Sequence, residues 1–75
     1  MTQKKIKENG KTFYEVTFTA EETKDFIDYE NRPHVAKVFS TGHWFFVISI
    51  DGRPAHSLSY ASPKRAVRNS WVVKA

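Results

Sequence analysis

The sequence contains no cysteine, which excludes a disulfide framework and any zinc site built on thiolates. A chain of 75 residues buries only about 60 to 65% of its unfolded surface, so packing has to supply the stability that covalent or metal staples would otherwise provide. No apolar run approaches the ~18 residues that a membrane span requires. The early lysines are followed by neither an apolar stretch nor a small-residue cleavage site. The expectation is a soluble, unexported protein of the cytoplasm with no membrane contact, and the absence of thiols agrees with a reducing compartment. Internal repeats and linkers are also missing, so a single domain is expected.

What the chain does have is aromatic rings and unevenly spread charge. Phe, Trp and Tyr make up 15% of it, and each ring can bury on the order of 150–250 Å2. The net charge of +4 divides into three blocks. Residues 1–11 hold Lys4, Lys5, Lys7 and Lys11 against Glu8, a balance of +3. Residues 12–30 hold Glu15, Glu21, Glu22, Asp25, Asp28 and Glu30 against Lys24, a balance of −5. Residues 31–75 hold Arg32, Lys37, Arg53, Lys64, Arg65, Arg68 and Lys74 against Asp51, a balance of +6. A basic C-terminal half beside an acidic middle points to an anionic partner for one surface. A merely well-solvated surface is the competing reading.

Residues 1–10 are polar, lysine-rich and aperiodic, and read as a flexible basic arm closed by Gly10; residues 11–75 then form one α+β domain. Tyr14, Val16 and Phe18 alternate with Glu15, Thr17 and Thr19, the period-two pattern of a half-buried strand. Thr19 to Glu22 matches a capping box and predicts a helix with an acidic first turn. Its apolar stripe is Phe26, Ile27 and Tyr29, and Asn31 and Pro33 stop it; a strand from Phe26 to Tyr29 is the alternative. A short strand is expected around Val35, Val38 and Phe39. Trp44 to Ile50, the turn Asp51-Gly52 and Ala55 to Tyr60 form a β-hairpin. Ser62 and Pro63 start a helix that runs to about Val73, burying Ala66, Val67, Ser70 and Trp71 and turning Lys64, Arg65 and Arg68 outward. The expected order is β-α-β-β-β-α, a small antiparallel sheet of three to four strands packed by a C-terminal basic helix.

Pairing the hairpin about its turn separates two faces. One carries Trp44, Phe46, Ile48 and Ile50 opposite Ala55, Ser57 and Ser59, a trough into which a helix can settle. The other carries Phe45, Val47, Leu58 and Tyr60, with Ser49 and His56 toward the turn. If uncovered, Phe45, His56 and Tyr60 would offer an aromatic binding face; if covered, they are core. Lys64 and Arg65 stand in the first turn of the last helix, where cations cost about 0.3–1 kcal/mol each at low salt relative to a favourable placement. An anion held there would account for them, phosphate being a common one. Arg68 lies one turn on, and Arg53 and Lys74 extend the set. A lysine tolerated without function is the competing explanation.

The run from His43 to Lys74 (aromatic strand, Asp-Gly turn, short strand, then Ser62, Lys64 and Ala66 at a helix start) resembles the second half of a double-stranded RNA-binding domain. That family grips phosphates across a groove with a Lys-Lys-x-Ala-Lys run. Lys64 and Ala66 match it, Pro63 replaces the first lysine and Val67 the last, and Asn69 and Ser70 take the place of the usual small residues. The same run is similar to the three-strand-plus-helix arm-binding domain of tyrosine recombinases, which lays its sheet in a DNA major groove. Each resemblance covers under half the chain, and both imply duplex phosphate binding by a sheet and a basic helix.

Catalysis is not expected, because no nucleophile with a base and an orienting third group is legible. Glu21, Asp25 and Asp28 share a helix face, which solvation explains. His43 and His56 share a hairpin face but sit near its opposite ends, and His34 lies on another segment, so no metal site is expected. No cofactor is implied. The leading expectation is therefore a small non-enzymatic protein that holds duplex DNA or RNA through Lys64, Arg65, Arg68, Arg53 and Lys74, helped by the N-terminal lysine arm. The alternative is a protein-binding module, an inhibitor or adaptor, acting through the aromatic face, an edge strand or the acidic helix. A homodimer through an exposed edge strand is a further expectation.

Overall fold

The computed structural model describes residues 1–73; Lys74 lies outside the described residues. Asn9 and Gly10 have φ of 51° and 77°, the paired positive values of a type I′ turn, which suits the twist of a two-residue hairpin. They join β1 (Thr2–Glu8) to β2 (Lys11–Phe18), in register from Thr2 opposite Thr17 to Glu8 opposite Lys11. The lysine-rich segment expected as a flexible arm is thus an edge strand. Asp51 and Gly52 repeat the same turn, with φ of 51° and 77°, between β4 (Phe45–Ile50) and β5 (Arg53–His56). With β3 (His34–Ser40) and β6 (Trp71–Val72), the chain forms a six-stranded antiparallel sheet in the order β1-β2-β3-β4-β5-β6.

This overturns the expected α+β order β-α-β-β-β-α with a long C-terminal helix. The acidic segment forms only a 3-10 turn, Ala20–Glu22. Half of its capping box is in place: the Glu22 carboxylate accepts from the Thr19 amide at 2.9 Å. Beyond it, side chains compete with the helix for the backbone. The Thr23 hydroxyl donates to the Ala20 carbonyl at 2.9 Å, and Asp28 accepts from the Glu30 amide at 3.1 Å. Of the supposed apolar stripe, Phe26 alone docks, edge-on to Phe18 at 5.5 Å, while Ile27 and Tyr29 are 73% and 97% exposed. One anchor is too little to hold a helix whose own turns are marginal. The strand considered for Phe26 to Tyr29 does not form either.

The C-terminal helix, α1, spans only Pro63–Arg68. Ser62 caps it by accepting from the Arg65 amide at 3.2 Å, and Pro63 fills the first position. It ends where the Asn69 side chain donates to the Arg65 carbonyl at 2.9 Å and the buried Ser70 hydroxyl donates to the Val67 carbonyl at 2.7 Å. Val72 then follows its β preference, with Val72 opposite Ala55 and Trp71 opposite His56. Trp71, expected in the core, is 41% exposed.

The core lies between α1 and one face of the sheet, and comprises Val16, Phe18, Ala36, Val38, Val47, Ile50 and Ala55 with Ala66 and Val67 of the helix. Small residues on both sides, Ala36 and Ala55 on the sheet and Ala66 on the helix, permit close approach. The hairpin faces differ from those expected because the β3–β4 register shifts, with Lys37 opposite Ser49 but Val38 opposite Val47. This β-bulge brings Val47 and Ile50, three positions apart, onto the core side together. Phe45 and Tyr60 join that side, packed against the core. The β4–β5 ladder breaks after Ser49 opposite Pro54 and resumes at Phe45 opposite Tyr60. Ser57 spans the gap: its hydroxyl accepts from the Val47 amide at 2.8 Å and donates to the Leu58 carbonyl at 2.8 Å.

Ser57→Ala would leave the Val47 amide without its acceptor beside the core, and is expected to lower the unfolding free energy by about 1–3 kcal/mol. Urea denaturation of the two proteins measures it.

Candidate nucleic-acid interface

Short α1 projects Lys64, Arg65 and Arg68 from its solvent side while Ala66 and Val67 seat it on the sheet. The Lys24 amide donates to the Arg68 carbonyl at 2.9 Å, which binds the segment after the 3-10 turn to the end of the helix. A groove of about 400 Å3 forms between them, lined by Lys24, Lys64, Arg65 and Arg68 together with Met1, Glu21, Glu22 and Thr23. Among the described residues none of these four cations makes an ion pair. Glu22 is already engaged: the Met1 amino group, then the Thr19 amide, hold its carboxyl below the ordinary range. Arg65 also lies over the Tyr60 ring, 6.0 Å from its centre. The helix has fewer than two turns, so the side chains, rather than a dipole at its start, make this surface positive.

The sheet extends the basic surface. Strand alternation puts Lys5, opposite Tyr14, and Lys7, opposite Thr12, on the same side as α1. Lys5 lines a further groove with Tyr14, Phe45 and Thr41, where Tyr14 and Phe45 meet edge to face at 5.6 Å.

Of the residues expected to act together, the structure unites Lys64, Arg65 and Arg68 and separates Arg53. Arg53 lies at the opposite turn, in a groove with Asp28, Arg32 and Asp51. Phe45 and Tyr60 are brought side by side, each amide bonded to the other's carbonyl at 2.9 Å. His56 instead faces Trp71 at 6.5 Å, so Phe45, His56 and Tyr60 form no common face. Lys24 was missed, and Lys5, expected to help as part of a flexible arm, lies on a strand instead. The Asn9-Gly10 turn was the signal that would have placed Lys5 on a sheet.

The third assembly, also missed, is His34. Its Nε2 donates to Asp28 at 2.7 Å and its Nδ1 to Asp51 at 2.5 Å. Both partners are acceptors, so the ring is held as an imidazolium. The bond to Asp51, then that to Asp28, raise its pKa above the usual 6.5 against the opposing effect of burial. Asp28 is lowered well below the ordinary carboxylate range by Arg32 and then by His34. Asp51 is opposed by burial but still lowered, by the Val35 amide and then by His34. Phe26 packs on the imidazole with ring centres 4.6 Å apart. The two bonds fasten the acidic loop, through His34 at the start of β3, to the β4–β5 turn.

Compared with known proteins, the chain matches no family model, no curated protein and no solved structure. Among the described residues no helix is long and apolar enough to cross a membrane.

Because the folded His34 pKa is raised, its contribution to stability is complete below about pH 6.5 and is lost as pH rises through the folded value. Asp28 and Asp51 act in the reverse sense: their contribution is present above about pH 3.8 and is lost on acidification. Denaturation midpoints are therefore expected to be highest between those limits. His34→Gln should flatten the alkaline decline, as chemical denaturation across a pH series will show.

Proposed function

We propose that this is a nucleic-acid-binding protein that holds the phosphate backbone on the α1 side of the molecule. The observation that carries the reading is the convergence of Lys24, Lys64, Arg65 and Arg68 round one groove with no carboxylate paired to any of them among the described residues. Clustered unpaired cations repel one another and gain from a polyanion that neutralises several at once. Lys5 and Lys7 on the same side lengthen the track along a strand. Guanidinium groups suit phosphate because their donors match its oxygens in pairs. The contacts are to backbone phosphate, which positions a duplex without reading its sequence.

Four phosphate contacts give a log-log slope of affinity against salt of about −3 to −4 on duplex DNA. Arg65→Gln and Arg68→Gln are each expected to weaken binding to every sequence alike and to reduce that slope by about 0.9. Fluorescence anisotropy with duplex DNA and duplex RNA at several salt concentrations measures this. Affinity that is absent, or insensitive to salt and to both substitutions, contradicts the reading.

A further inference from the structure

The sheet has a second face, which α1 does not touch. Across it Ile6, Phe13, Phe39 and Phe46 lie directly opposite one another on β1, β2, β3 and β4. The rings meet at 5.4 Å between Phe13 and Phe39 and at 5.3 Å between Phe39 and Phe46. A sheet face left to water normally presents polar residues; this one presents a row of aromatic rings, with Trp44, 53% exposed, two positions ahead of Phe46. Ile6, Phe13, Phe39 and Phe46 are each half-buried, and Lys37 reaches over Phe13, 4.4 Å from the ring centre, to pair with Glu8 at 3.2 Å; the apolar area that stays open, with Trp44 at its end, marks an interaction surface.

The charges beside the row identify the occupant. On this face β1 carries Lys4 two positions before Ile6 and Glu8 two positions after it, and β2 carries Lys11 before Phe13 and Glu15 after it. A two-fold axis laid along the apolar row turns each strand end for end. It sets Lys4 of one copy over Glu8 of the other, Glu15 over Lys11, and each apolar residue over its own counterpart. A surface that is complementary to itself in this way fits an isologous contact. Lys4, Lys11 and Lys37 against Glu8 and Glu15 leave this face almost neutral, with Glu8 already paired to Lys37 of its own copy so that Lys4 of the second copy would join that pair; unlike the α1 side, it gives a polyanion little reason to prefer it.

We propose that a second copy of this chain packs here, sheet on sheet, leaving both α1 surfaces outward. The free edge is a poorer route to a dimer: antiparallel pairing of β1 with itself about Lys5 sets Lys5 directly against Lys5, with Lys7 of each copy on the same side diagonal to it. Four strands at about 4.8 Å and eight residues at about 3.3 Å give a flat face on the order of 500 Å2 per copy. That is below the ~800 Å2 of a standard partner, so the dimer is a weak one.

Sedimentation equilibrium of the full chain from about 10 µM to about 1 mM tests it, a range that brackets a weak complex. The average mass should climb from monomer toward twice that value. Phe39→Glu, with its fold checked by circular dichroism, should weaken the dimer at least about 30-fold by removing a central aromatic anchor. The double variants Lys4→Glu with Lys11→Glu, and Glu8→Lys with Glu15→Lys, should each be monomeric alone and associate when mixed. A native chain that stays monomeric throughout, or a dimer indifferent to these changes, overturns the proposal. Double variants that fail to associate on mixing do the same.

Discussion

Alternation along the β2–β3 ladder is the constraint to which the other features answer. Seven consecutive pairs, Thr12 opposite Ser40 through Phe18 opposite His34, fix the side on which every residue of these strands projects. Even-numbered positions give Tyr14, Val16, Phe18, Ala36 and Val38 to the core; odd ones give Phe13, Glu15, Lys37 and Phe39 to the other side. Among the described residues α1 is the one α-helix, and it covers one face. Everything on the even side is therefore judged by how it packs under α1, and everything on the odd side is left to water or to another molecule. The bulge opposite Lys37 and Val38 is the one place where the rule is broken near the core, and it returns Ile50 to the buried side after Val47 has already been used.

Much of the strand content was legible and most of the helix content was not. Asp51-Gly52 between two β-prone runs identified the second hairpin, and Ser62-Pro63 identified the start of α1, because in both cases local chemistry and tertiary packing agree. Asn9-Gly10 carried the same information as Asp51-Gly52 but was masked by the lysines around it, which resemble a disordered arm in composition. The capping pattern at Thr19 was real but led nowhere, since a cap favours a first turn and cannot supply the apolar contacts that sustain later ones. For α1 the end was illegible: nothing before folding shows that Ser70 is buried and bonded back to Val67, or that Val72 has a strand to join.

The candidate site divides along the same line. Lys64, Arg65 and Arg68 could be grouped because they are neighbours on a short helix, whereas Lys24 and Lys5 reach the same side only through contacts distant in sequence. Arg53 was assigned to that group by charge alone and belongs instead to the end of the molecule where Asp28, Arg32, His34 and Asp51 neutralise one another. Charge is thus sorted in space into a basic side, a nearly balanced aromatic side and a self-compensated end. The sequence blocks of +3, −5 and +6 do not display that sorting.

The bond from the Lys24 amide to the Arg68 carbonyl also bears on how the molecule comes apart. Six residues are too few for a helix to persist alone, and the last turn of α1 leans on a loop that is itself pinned at its other end by His34. Loss of the imidazolium clamp would therefore loosen more than the loop. Loop and helix line the basic groove together, and the Lys24 to Arg68 bond joins them there.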